Sequence, residues 1–191
     1  MKNFFIVLII ILVLGVGGWL GYSKFIKSPK QAAPPASKTG NEKPMQITSK
    51  AFQNGEIIPP KYTCDGVDVN PPLEFSDIPK NTKSLALIVD DPDAASGDWV
   101  HWLVWNMSAT STGISEDSVP NEAVIGTTDF GNKAYGGPCP GSGQHRYIFK
   151  LYALDEALKL SSFSVKKDLL EAMNGHILGQ AQMVGLYARS K

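Results

Sequence analysis

The sequence has few cysteines and no excess of charge of either sign. Only Cys64 and Cys139 occur among 191 residues, too few for a disulfide scaffold and without the paired spacing of a structural zinc site. Eighteen Lys and Arg residues balance eighteen Asp and Glu residues, so no overall field favours nucleic acid as a partner. A chain of this length forms one ordinary domain with appendages. Specificity must therefore come from a local site.

One long hydrophobic run stands near the amino terminus. It extends from Phe4 to Tyr22 without a charge, about the length that crosses a bilayer. We predict a membrane anchor or uncleaved signal over residues 1–27, a linker rich in Pro, Ala, Ser and Lys over residues 28–44, and one folded domain over residues 45–191. The membrane is then a partner through this transmembrane helix, and the Pro-rich linker favours a domain on the extracytoplasmic side.

Short apolar runs separated by turn residues fill the domain. The runs "SLALIV", "HWLVWNM" and "YIFKLYAL" predict strands that are buried on at least one face. The segment "SVKKDLLEAMNGH" predicts one helix, with Ser164 as its N-cap and Gly175 as its stop. Leu169, Leu170 and Met173 form the apolar stripe of that helix. These patterns predict a mainly β fold class.

Two segments bring a histidine to the start of a strand. In "DPDAASGDWVHWLVWNM", Asp91 opens the segment and His101 precedes a buried run. In "YGGPCPGSGQHRYIFKLYAL", a loop rich in Gly and Pro leads to His145. Successive backbone amides in such turns bind anions, and imidazoles donate to the same oxygens when a carboxylate such as Asp91 fixes their tautomer. The combination predicts a small pocket for a phosphate-like or carboxylate-like group.

Together with the earlier "YTCDGVDVNPPLEF", these segments resemble the phosphatidylethanolamine-binding protein family, in particular its bacterial and archaeal branch, often described as Raf kinase inhibitor-like. The resemblance extends from about Met45 to Arg189. It implies a β-sandwich of antiparallel sheets with a few peripheral helices and a ligand pocket at one end. The residues that match the family's pocket are Asp91, Trp99, His101, Gly136, Gly137, Pro138, His145 and Tyr147.

Different roles are expected for the two acids of this pocket. Asp91 is predicted to orient His101 so that its imidazole donates to an anion, and Asp93 to cap the turn after Pro92. On this interpretation the chain is a binding module for phosphate, a phospholipid head group or a carboxylate. The resemblance also implies a regulatory role as an inhibitor of a kinase or protease partner. No catalysis, cofactor or metal is expected.

Several alternatives stay open at this point. One is a hydrolase of anionic esters, with His101 or His145 as general base. Cys139 has the residue type of a thiol nucleophile, and Asp91, His101 and His145 those of a metal site. A disulfide between Cys64 and Cys139 is favoured over these last two roles. The Gly-rich loop lacks the lysine of a nucleotide P-loop, which argues against a nucleotide triphosphatase.

Overall fold

The computed structural model describes residues 43–189. This part of the chain holds nine strands, one α-helix and one 3-10 turn. The strands are β1 (Gln46–Thr48), β2 (Glu56–Ile57), β3 (Leu73–Ser76), β4 (Ser84–Asp91), β5 (Trp99–Ser108), β6 (Gly113–Ile114), β7 (Val124–Ile125), β8 (Gln144–Leu154) and β9 (Ile177–Ala188). The helix is α1 (Lys166–Met173), and the 3-10 turn is Pro60–Tyr62.

The strands form two sheets. The larger one has six strands in the order β2-β9-β8-β4-β5-β7, and the smaller one has three in the order β1-β3-β6. Neighbouring strands are antiparallel, as expected, with one exception: β2 pairs with β9 in parallel, Glu56 opposite Gly185 and Ile57 opposite Leu186. The mainly β prediction therefore agrees with the structure, and the prediction of purely antiparallel sheets is corrected at β2.

Two hydrophobic cores cover the two faces of the large sheet. On one face, side chains of β4, β5, β8 and β9 pack against the small sheet; Val89, Trp102 and Phe149 are fully buried there. On the other face, Ile88 and Leu103 pack against Leu169 and Met173 of α1 and against neighbouring residues. Every residue of β4 is consequently buried, which explains why "SLALIV" is a continuous apolar run rather than an alternating one.

A β-bulge interrupts β5 at His101. Val89 pairs with Trp102 and Asp90 pairs with Val100, so that His101 has no partner across the strand pair. Val100 packs on the helix side of the sheet, whereas Trp102 packs on the side of the small sheet. The extra residue lets His101 lie on the same side as Trp102, next to Tyr147.

The helix is close to its prediction but begins later. Its N-cap is Val165 instead of Ser164, because the Asp168 carboxylate accepts a hydrogen bond from the Val165 N–H at 3.0 Å. Of the predicted apolar stripe, Leu169 and Met173 are buried. Leu170 is 42% exposed. The helix thus presents a narrower apolar face than the sequence predicted.

The prediction of a membrane-anchored fold has to be corrected. Residues 1–27, on which the predicted transmembrane helix falls, lie outside the described residues, as does the linker up to residue 42. In residues 43–189 no helix is long and apolar enough to span a membrane; α1 has eight residues, whereas a bilayer crossing takes about 20. Within residues 43–189 the fold is mainly β with one α-helix instead of several, and nothing in this part of the chain supports the predicted membrane anchor. The predicted extracytoplasmic location at the membrane is withdrawn with it.

Candidate functional site

The predicted pocket residues come together at one end of the large sheet. Asp91 ends β4 and lies opposite Trp99, which begins β5. On the other side of β4, Asp90 pairs with Ile148, so that the start of β8, with His145 and Tyr147, lies at the same end. Antiparallel pairing therefore gathers residues that are 54 positions apart in the chain.

Asp91 binds His145, not His101. Its Oδ2 lies 2.7 Å from His145 Nδ1, and the two side chains are 4% and 15% exposed. A carboxylate accepts a hydrogen bond from the Nδ1–H group, so Asp91 holds the His145 ring with Nε2 turned away from it. The prediction that Asp91 orients His101 is wrong, because Asp91 Oδ2 contacts His145 Nδ1 and His101 Nδ1 contacts the Gly136 carbonyl oxygen.

His101 is oriented by the backbone of the loop before β8, residues 135–143, which is rich in Gly and Pro and is called the Gly-Pro loop below. Its Nδ1 lies 2.6 Å from the Gly136 carbonyl oxygen, and the Gly136 N–H donates to the His101 carbonyl at 3.0 Å. Because a carbonyl only accepts, Nδ1 carries the proton, and Nε2 has a lone pair in the neutral ring. Burial lowers the pKa of His101, against smaller opposing effects of the Gly136 carbonyl and Asp91. The resting imidazole is therefore neutral.

Tyr147 completes the buried part of the site. Its ring meets the His101 ring edge to face, with centroids 5.0 Å apart. Burial and the Asp91 carboxylate raise the pKa of Tyr147. Its hydroxyl is buried and makes no hydrogen bond of ordinary geometry within the described residues. The other atoms that share this property there are Asp90 Oδ1 and the indole nitrogens of Trp102 and Trp105.

The Gly-Pro loop borders the site, and two of its backbone N–H groups already donate hydrogen bonds within the protein. Gly137 donates its N–H to Asp68 Oδ1 at 2.7 Å, and Gly136 donates to His101. A Cβ at Gly137 would come within 2.4 Å of the same Asp68 oxygen, so only glycine fits there. Pro138 is buried behind them. The predicted amide nest for an anion is therefore corrected: these two N–H groups hold the loop in place.

A disulfide joins Cys64 to Cys139 across 75 positions of the chain, with the Cα atoms 5.4 Å apart. Neither cysteine of the chain is free. A thiol nucleophile at Cys139 is therefore ruled out in this state, since the nucleophile of such chemistry is a thiolate. The bridge connects the Gly-Pro loop to the segment that contains Asp68.

Asp93 forms an ion pair instead of capping the turn. Arg146 Nη2 lies 2.6 Å from Asp93 Oδ1, and Arg146 Nε lies 2.8 Å from Oδ2. This hydrogen bonding with Arg146 lowers the pKa of Asp93 to about 2. The turn itself is capped by Asp91, whose Oδ1 accepts the Asp93 N–H at 2.8 Å. Asp91 thus uses one oxygen for the turn and the other for His145.

Sequence reasoning missed three residues of the site: Asp68, Arg146 and Phe130. Asp68 lies in the "YTCDGVDV" segment, and Arg146 directly follows His145; both are charged residues inside quoted motifs, which was the available signal. Phe130 lies outside those motifs, and its ring is 5.3 Å from that of His101. In residues 43–189 no group of three or more His, Cys, Asp or Glu side chains is placed to hold a metal ion.

The family model described as phosphatidylethanolamine-binding protein matches residues 48–188 of the chain. A UPF0098 protein of Methanothermobacter thermautotrophicus is 48% identical over 150 residues, which cover 76% of this chain and 99% of the relative. A UPF0098 protein of Aquifex aeolicus is 47% identical over 152 residues, which cover 76% of this chain and 89% of the relative.

Solved structures show the same relationship. The crystal structure of a phosphatidylethanolamine-binding protein homologue from Chlamydia trachomatis has a TM-score of 0.74 and 44% identity, with 77% of this chain and 99% of that chain covered. Escherichia coli YbcL is described as a member of the mammalian phosphatidylethanolamine-binding protein (PEBP) family. Its structure has a TM-score of 0.73 and 32% identity, with 78% of this chain and 100% of that chain covered. The description of the matching family model is that of a binding-type domain. The chain belongs to the phosphatidylethanolamine-binding protein family.

Proposed function

We propose that the end of the large sheet binds a small anion, namely a phosphate, a phospholipid head group or a carboxylate. The observation that carries the proposal is the buried Tyr147 hydroxyl, which makes no hydrogen bond of ordinary geometry within the described residues, although the Asp91 carboxylate and the Cys139 backbone lie near it. Leaving such a group unpaired costs about 1–3 kcal/mol, and an unpaired group in a native protein calls for an explanation. An anion that accepts a hydrogen bond from this hydroxyl removes the cost.

The two histidines supply the remaining contacts. His145 is held by Asp91 through Nδ1, and His101 is held by Gly136 through Nδ1. In both rings Nε2 is the nitrogen left for a ligand, and it donates to an anion only when the ring is protonated. An anion therefore favours the protonated form of His101 and raises the low pKa that burial gives it. Ligand binding and proton uptake are coupled.

This geometry supports binding better than hydrolysis of an anionic ester. The cysteine of the Gly-Pro loop is oxidised, and the Asp91 carboxylate already accepts hydrogen bonds from His145 and from the Asp93 N–H. A nucleophile paired with a general base is the signature of covalent hydrolysis. Within the described residues the rings of His101 and His145 contact a carbonyl and a carboxylate, and neither is paired with a hydroxyl or a thiol. Inhibition of a kinase or a protease stays an analogy with the family, since a pocket does not fix a partner.

A calorimetric titration of the full chain with phosphate, phosphoethanolamine and acetate tests the proposal. We expect at least one of these anions to bind, and the Tyr147→Phe variant to bind it about 2-fold to 10-fold more weakly, because a neutral hydrogen bond contributes about 0.5–1.5 kcal/mol. Tyr152→Phe is the matched control, since Tyr152 packs on the helix side of the same strand. Absence of binding in the parent chain, or equal losses in both variants, contradicts the proposal.

Acidification is expected to destabilise the chain through His101. Because burial lowers the pKa of His101 in the folded state, the unfolded chain takes up this proton first, at about pH 6.5. The free energy of unfolding therefore falls as the pH drops below about 6.5, and this contribution levels off below the folded pKa. His176, whose pKa is raised by Asp155, acts in the opposite direction.

Urea unfolding at pH 7.5 and 5.5 measures this effect. Comparison of the parent chain with His101→Asn isolates it, because both proteins retain His176 and His145. The pH-dependent loss of stability should shrink in the variant, and phosphate should reduce it in the parent chain by binding the protonated ring. An identical pH response in the two proteins refutes a role for His101.

A further inference from the structure

An exposed phenylalanine, Phe130, lies beside His101 of the site. Phe130 lies in the segment between β7 and β8, and its side chain is 43% exposed. Its ring centroid is 5.3 Å from that of His101, with an interplanar angle of 74°, and 5.5 Å from that of Trp99, with an angle of 78°. We call Phe130 and Trp99 the aromatic shelf. The shelf borders the same imidazole that faces the proposed anion.

The neighbouring backbone holds Phe130 in this position. Asp129 on one side is fixed to β5, because its Oδ2 accepts the Val100 N–H at 2.7 Å and its own N–H donates to the Val100 carbonyl at 3.2 Å. Gly131 on the other side closes the turn by donating to Thr128 at 2.9 Å, with a φ of 76° that suits glycine. The Phe130 side chain is thus exposed, although hydrogen bonds of the neighbouring residues hold its backbone in place.

The approach of Phe130 to His101 depends on Gly136. A Cβ at Gly136 would lie 2.5 Å from the Phe130 ring, so any side chain there pushes the ring away. The same glycine supplies the carbonyl that binds His101 Nδ1. One residue therefore orients the histidine and makes room for the phenylalanine beside it.

We propose that the aromatic shelf makes Phe130 a specificity-determining residue, which selects anions that carry an apolar group directly beside the charge. The proposal rests on the anion-binding function proposed above and names the class of ligand. Ligand pockets are lined mainly by hydrophobic and aromatic side chains around a few polar groups. An aromatic ring pair of this geometry contributes beyond its buried area, so an aryl or alkyl substituent on the anion gains contact that inorganic phosphate cannot make.

Titrations of the full chain with inorganic phosphate and with phenyl phosphate test this proposal. We expect phenyl phosphate to bind about 3-fold to 10-fold more tightly than inorganic phosphate. Phe130→Ala should bring this ratio close to one by weakening phenyl phosphate more than inorganic phosphate, and Phe130→Leu should retain part of the ratio. Phe163→Ala is the matched control, because Phe163 is 77% exposed and its ring lies against Lys133 instead of the site.

The outcomes separate this proposal from the one on which it rests. If inorganic phosphate binds but the ratio is one in the parent chain, or does not change in Phe130→Ala, the shelf has no selective role and anion binding stands. If Phe130→Ala weakens both anions equally, Phe130 only shapes the His101 pocket and the selectivity proposal is overturned. If Phe130→Ala loses affinity for phosphoethanolamine but not for phenyl phosphate, the selectivity proposal is also overturned. The rings then bind the cationic amine of the ligand instead of an apolar group. Binding of neither anion to the parent chain overturns the selectivity proposal, and absence of binding of phosphoethanolamine and acetate as well overturns the anion site on which it rests.

Discussion

Replacement of Cys64 and Cys139 together by serine is expected to lower the free energy of unfolding by about 4 kcal/mol. The bridge spans 75 positions of the chain, and a cross-link across a loop of this size removes about 4–5 kcal/mol of conformational entropy, expressed as free energy, from the unfolded chain. Urea unfolding of the oxidised parent chain and of the double variant measures the difference. The double variant is preferable to either single one, which leaves a free thiol.

The folded structure should tolerate this change. Three hydrogen bonds also join the two bridged segments: Tyr135 Oη donates to the Tyr62 carbonyl at 2.9 Å, Gly137 to Asp68 at 2.7 Å, and Cys64 to the Pro138 carbonyl at 3.2 Å. The third uses the backbone, so serine at position 64 preserves it. The decrease in stability is therefore expected to come mainly from the greater conformational entropy of the unfolded chain.

A reductant provides the internal control for the disulfide prediction. It should lower the stability of the parent chain towards that of the double variant and leave the double variant unchanged. A urea midpoint that is the same in the oxidised parent chain and the double variant contradicts the entropic argument. A midpoint that falls together with complete loss of anion binding shows that the bridge also shapes the folded pocket.

The strands and the end of the sheet that carries the site could be predicted from sequence because their signals are local. "SLALIV" and "YIFKLYAL" have the length and apolar density of buried strands, and β4 and β8 contain them. Turn residues before His101 and His145 placed both histidines at strand starts. Antiparallel pairing of neighbouring strands then accounts for the meeting of Asp91 and His145, which are 54 positions apart.

The partners of these residues could not be predicted, because they depend on register and on distant loops. Simple alternation along β5 would place His101 and Trp102 on opposite faces of the sheet. The bulge places both on the same side. No residue in "WVHWLVW" predicts a bulge. The assignment of Asp91 to His101 failed because the Gly136 carbonyl of a distant loop contacts His101 Nδ1. Asp68 and Phe130 reach the site through tertiary packing alone, and neither forms part of a spacing pattern.

Replacement of His101 by asparagine is expected to weaken anion binding about 10-fold to 100-fold. Asparagine offers an amide N–H near the position of Nδ1, which suits the Gly136 carbonyl, but it has no counterpart of Nε2. A hydrogen bond to a charged group contributes about 1.5–3 kcal/mol, and this contact is the one removed. Titration with the anion that the parent chain binds best, at pH 6 and at pH 7.5, gives the loss and its pH dependence.

Two further variants sharpen the test of His101. Glutamine retains an N–H at about the distance of Nε2, so His101→Gln should bind more tightly than His101→Asn and with less dependence on pH, since an amide does not titrate. His176→Ala is the matched control, because His176 is a half-buried histidine outside the site, paired with Asp155. If His101→Asn loses stability in proportion to its loss of binding, the histidine serves the fold and not the ligand. Unchanged affinity in His101→Asn, with a folded protein, removes His101 from the pocket and leaves Tyr147 and His145 to account for any binding.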